Sequence, residues 1–155
     1  MDSPQNGIWG PHLWTILHSL AERIGQPHLK KLQAEETRLW TGLLGSLRYS
    51  LPCPLCKKHF TNFYSNHSVS LISTDFIRNW LYECHNNVNT INSKINILSI
   101  EEIKSIYSKP FNFSYHYGVV LEHMTRSIRL GWCSREDIGR TNRFFQEIKR
   151  FYDLF

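Results

Sequence analysis

No stretch of this chain approaches the run of about 18 apolar residues that a membrane-spanning helix requires, so no membrane span is expected. The opening residues, Met1-Asp2-Ser3-Pro4, lack the basic and apolar regions of a secretory signal, and the expected compartment is the cytoplasm. Cysteine is scarce: four in 155 residues are too few for the disulfide scaffold of a small secreted domain. Lys and Arg are scattered, with only short pairs such as Lys30-Lys31 and Lys57-Lys58. Without a basic stripe, the net charge of +5 reads as a solvated surface and not as a nucleic-acid site. Internal repeats and low-complexity linkers are absent. Strand-like alternation is confined to Ser68-Val69-Ser70-Leu71-Ile72, which argues against a doubly wound α/β fold.

What is present is aromatic and helical. Aromatics make up 14% of the chain, with five Trp and nine Phe, which a disordered segment would not carry. The length suits a single core. Gly10-Pro11 is read as the start of a first helix, with Trp14, Leu17, His18, Ala21 and Ile24 on one face and Gly25 and Pro27 ending it. A second helix is expected from about Leu29 to Tyr49, where Gly42 and Gly45 imply close packing. Pro54 starts a third, running to about Ser65, with Cys53 at its N-cap. Ser73 or Thr74 caps a fourth, Ser99-x-x-Glu102 is a capping box for a short fifth, and two more follow over about 114 to 132 and 135 to 153, with Ser134 and Asp137 at the last cap. An all-α bundle follows.

The chemistry turns on Cys53-Pro54-Leu55-Cys56. A helix N-terminus favours thiolate, which both attacks and leaves in disulfide exchange. Zinc is one reading: Cys53, Cys56, His59 and His67 have the spacing C-x2-C-x2-H-x7-H, which departs from the usual knuckles, and the product would be a zinc-stabilised helical adaptor without catalysis. A flavin-free thiol-disulfide carrier is another, although a thioredoxin-like motif expects a strand before the cysteines and here the preceding segment is helical. A third couples the pair to an electron acceptor. Passing electrons on to oxygen calls for a cofactor such as flavin, and a helical protein would hold it with aromatic and amide side chains.

The first helix carries Trp9-Gly10-Pro11-His12-Leu13-Trp14-Thr15-Ile16-Leu17-His18, and the fourth carries His85-Asn86-Asn87-Val88-Asn89, with Lys94 beyond it. With the Cys-x-x-Cys between them, this order resembles the Erv/ALR family of FAD-linked sulfhydryl oxidases over roughly residues 8 to 107. The Trp-Gly-Pro opening and the His-Asn-Asn-Val-Asn form are similar to those of small oxidases of large cytoplasmic DNA viruses, which would place the protein in host cytoplasm or virion. The resemblance implies a four-helix bundle plus a short fifth helix in residues 1–110; residues 111–155 have no counterpart in the smallest members and are expected to be a helical extension packed on it or at a dimer interface. It implies FAD held by Gly10, Trp14, His18, Cys56, Tyr82, His85, Asn86, Val88, Asn89 and Lys94, with Cys56 against the flavin and Cys53 facing the substrate thiol. It also implies thiol-containing substrate proteins such as a small Cys-x-x-Cys redox carrier, O2 as acceptor with H2O2 as product, and a homodimer. Two features depart from the family pattern. Cys84 lies just before His85 with no cysteine in residues 90 to 110 to pair with, and Cys133 is a singleton where shuttle-bearing members have a pair.

Overall fold

In a computed structural model, residues 3–95 and 99–155 are described. The chain is all-α: α1 Asn6–Ala21, a 3₁₀ segment Pro27–Leu32, α2 Gln33–Ser50, α3 Pro54–Asn66, α4 Thr74–Ile91, α5 Ile100–Tyr107, α6 Phe113–Arg129 and α7 Arg135–Phe151. Most of the helix starts follow from one side chain each. Ser73, Asn112 and Ser134 accept from the backbone N–H three residues on, at 3.0 to 3.1 Å, and Ser99 forms the reciprocal capping box with Glu102.

Two boundaries differ from the sequence reading. α1 begins at Asn6, so Pro11 lies inside it. The N–H that Pro11 lacks would have met the carbonyl of Gly7, and Gly7 is exposed, so water can satisfy that carbonyl. The expected second helix is divided: Gly25, at φ +77°, turns the chain, and Pro27 fixes the start of a 3₁₀ segment that ends at the non-helical Leu32. The segment 68–72 joins α3 to α4 without forming a strand.

α1 and α2 supply the centre of the core, with Ile16, Leu17 and Leu20 on one and Leu39, Trp40, Leu43, Leu44 and Leu47 on the other, all fully buried. α4, α5 and α6 pack on α1, while α3 and α7 pack on α2. α6 and α7 form a hairpin, turned at Gly131 (φ +72°), that lies back across both. Gly42 permits this approach, because a Cβ there would come within 2.2 Å of the Phe144 ring. Gly45 has only ordinary contacts and is not required in the same way. A buried two-pronged ion pair ties the end of α1 to α4, with Arg78 Nε and Nη2 donating to the Glu22 carboxylate at 2.7 and 2.6 Å. Among the described residues no helix is long and apolar enough to cross a membrane.

Candidate functional site

The dithiol is built by the junction between α2 and α3. The Leu51 N–H bonds back to Leu47 and closes α2, and the Leu51 carbonyl then accepts from the Cys53 N–H at 2.8 Å. Cys53 is extended (φ −167°, ψ 124°) and caps α3, its sulfur accepting from the Cys56 N–H at 3.3 Å and from Asn6 Nδ2 at 3.8 Å. Both cysteines are half-buried. Cys56 holds its proton firmly. Burial, then its hydrogen bond and charge interaction with Cys53, push it up to about 12 against the opposing pull of Asn6 and its own backbone.

Cys56 forms part of the wall of a cavity of about 450 Å³ between α1, α3, α4 and the end of α5. Trp14 and His85 stack face to face in its wall at 4.0 Å and 6°, a spacing that leaves no room for a third ring between them. His85 is held from behind by His18, whose Nε2 lies 3.1 Å from His85 Nδ1, and Tyr107 from α5 stacks on His18 at 4.9 Å. Burial, then the His85 neighbour, lowers His18 to about 3; burial, then the Lys94 charge, lowers His85 to about 4. At neutral pH the aromatic wall is therefore uncharged.

Lys94 brings the positive charge, and local backbone geometry puts it there. At the end of α4 the Lys94 N–H bonds to the Asn89 carbonyl at 2.7 Å and the Ser93 N–H to that of Thr90 at 3.1 Å, a Schellman turn. Ser93 takes the left-handed position (φ 56°) that glycine usually fills, at some cost in strain. Two further features mark the cavity as a ligand site. Trp9 lines it, and its buried indole N–H has no hydrogen-bond partner among the described residues, although such a group ordinarily finds one. A side chain at Gly10, also in the wall, would meet open space. A flat aromatic molecule bearing an acceptor and an anionic group fits this lining.

The structure thus brings together Gly10, Trp14, Cys56, His85, Val88, Asn89 and Lys94. His18 stands one layer behind. Tyr82 and Asn86 are half-buried on α4 but do not line the cavity: Asn86 is rotated about 100° from His85, and Tyr82 lies nearly a turn earlier. The zinc arrangement of Cys53, Cys56, His59 and His67 is not formed. His67 stacks on Phe63 at 3.9 Å, and among the described residues no group of three or more His, Cys, Asp or Glu side chains is placed to hold a metal. Cys84 is buried in the core, where desolvation raises its thiol well above the usual range, and Cys133 is buried with its sulfur donating to the Leu51 carbonyl at 3.3 Å. Sequence reasoning missed Asn6, Trp9 and Tyr107 as site residues. Trp9 stood inside a recognised motif, but nothing local in sequence signals that Tyr107 returns to α1.

A family model described as the Erv1 / Alr family matches residues 11–107, a span that includes Trp14, the cysteine pair, the His85–Asn89 segment, Lys94 and Tyr107. No curated protein and no solved structure matches the chain.

Proposed function

Because the chain belongs to the Erv1/Alr family, whose members are in general FAD-linked sulfhydryl oxidases, we propose that it forms disulfides in substrate proteins at the Cys53–Cys56 pair. The observation that carries this reading is an asymmetry: Cys56 lines the aromatic cavity, whereas Cys53 lies outside its wall and caps the helix. This asymmetry supports giving Cys56 to the cofactor and Cys53 to the substrate. Gly10, Trp14, His85, Val88, Asn89 and Lys94 would hold FAD, with His18 fixing His85, and the unpartnered Trp9 N–H is an additional donor. Bound there, FAD supplies a two-electron acceptor that can in turn reduce O2 to H2O2.

A substrate thiolate attacks Cys53 of the oxidised pair, the Cys53–Cys56 bond breaks, and Cys56 leaves as thiolate. A second substrate thiolate attacks the substrate sulfur of the mixed disulfide and releases oxidised product. Cys53 departs as thiolate, received by the Cys56 N–H and Asn6. Re-forming the disulfide removes an electron pair and two protons from the dithiol. With its pKa pushed up to about 12, Cys56 rests as the neutral thiol at neutral pH, so its proton has to leave as the disulfide re-forms.

Residues 1–110 form the oxidase unit and 111–155 the extension, substrates are thiol proteins such as a small Cys-x-x-Cys carrier, and the protein works as a homodimer. The Trp-Gly-Pro and His-Asn-Asn-Val-Asn forms support a place among the oxidases of large cytoplasmic DNA viruses, and hence host cytoplasm or virion. For the central reading, Cys56→Ser is expected to retain flavin and lose essentially all thiol-dependent oxygen consumption in an oxygen electrode. Full activity in that variant would end it.

A further inference from the structure

On another flank of α3 lies a surface cleft of about 600 Å³, walled by the C-terminal end of α2, by α3, and by Asp137 of α7. It shares His59 with the wall of the aromatic cavity, so the two depressions meet at the redox helix. Its cations are Arg48, Lys57 and Lys58, and none has a carboxylate partner among the described residues. Arg48 lies over the rings of Tyr49 and Tyr64 at 4.9 and 4.7 Å, and Lys57 donates to the Trp132 carbonyl. The one acid in the wall, Asp137, is already paired with Arg140 at 3.1 Å. Lys57 lies one helical turn past Cys53, about 6 Å along the axis, so a protein thiol that reaches Cys53 brings its neighbouring residues to this cleft.

We propose that the cleft docks an acidic segment flanking the reactive cysteine of the substrate protein, and so selects substrates by the charge beside their thiols. The inference rests on the oxidase reading for its biological use, though not for the binding itself. Opposite charge accelerates encounter and fixes orientation, and its effect falls with salt. A nucleic acid is the poorer fit, because a phosphate backbone needs a longer track of cations than three residues ending at a carboxylate.

The test uses two synthetic peptides with the same Cys-x-x-Cys, one flanked by aspartates and one by lysines. Versions with serine for cysteine are titrated onto the protein by fluorescence anisotropy, a readout that needs no turnover. The acid-flanked peptide is expected to bind about tenfold more tightly at low salt, with the difference largely erased at high salt. Lys58→Glu changes an exposed side chain, and with Arg48→Gln it is expected to remove the preference while leaving oxidation of uncharged dithiothreitol unchanged. Equal binding of the two peptides at low salt overturns the proposal. So does a preference that survives the double variant, or a single-stranded oligonucleotide that binds more tightly than the acidic peptide. If the binding preference holds but dithiothreitol is never oxidised, the oxidase reading fails and the docking cleft stands. Oxidation without preference has the opposite meaning.

Discussion

Cys53 and Cys56 sit three residues apart, yet their surroundings differ, since Cys56 lines the cavity while Cys53 caps α3, and burial likewise sets the state of two histidines. His18 and His85 are both held neutral, lowered to about 3 and about 4, mainly by burial. In the unfolded chain a histidine takes up its proton near its ordinary value of about 6.5. Above that pH their contribution to stability is complete, and it is lost as pH falls from about 6.5 towards their folded values, because the unfolded chain then binds protons that the native state refuses. The thermal unfolding midpoint is therefore expected to drop between pH 7 and pH 4. His18→Phe should make that drop shallower, as followed by circular dichroism; an identical slope would contradict the burial argument. These residues were legible in sequence because Trp14-x3-His18, the cysteine pair and His85–Asn89 are short motifs whose spacing survives folding. Asn6 and Tyr107 were not, since each reaches the site through packing between segments far apart in sequence.

At the scale of elements, helix starts could be read where one side chain makes the cap, as at Ser73, Ser99 and Ser134. They could not where tertiary packing outweighs a breaker: α1 runs through Pro11, a cost no local pattern reveals as offset. Gly42 was correctly read as a place of close packing, though its partner, Phe144, lies a hundred residues on in the chain. The hold of α7 on α2 has a second fastening in a buried network. The Trp40 indole N–H donates to the Tyr152 hydroxyl at 2.9 Å, and that hydroxyl donates to Glu36, which also accepts from the Gly25 N–H. Burial and the Glu36 contact raise the Tyr152 phenol far above its usual range, so it remains a donor. Tyr152→Phe leaves the Trp40 N–H and a buried carboxylate oxygen without their partner. It is expected to cost about 2–3 kcal/mol, read as a lower urea midpoint with unchanged slope. A change under about 0.5 kcal/mol would show that the network contributes little.

For the whole molecule, the order of helices and the absence of strands among the described residues were visible in the sequence, while the path of the α6–α7 hairpin was not. Its aromatic residues announced burial without naming a surface, because Phe145, Tyr117 and Phe113 would satisfy the same pattern against a partner chain as against α1 and α2. In the folded chain the hairpin closes over the two central helices. Its turn also reaches the redox junction, where the Trp132 carbonyl meets Lys57 and Cys133 shares the Leu51 carbonyl with Cys53. Cavity, dithiol and cleft thus all border α3, the cavity through Cys56 and Phe60, the cleft through Lys57 and Lys58, and both through His59. The most direct test is the visible absorbance of the purified protein before and after dithiothreitol is added in air. A flavin band that bleaches and then returns as oxygen is consumed is the expected result. A colourless protein that takes up no added FAD would contradict it.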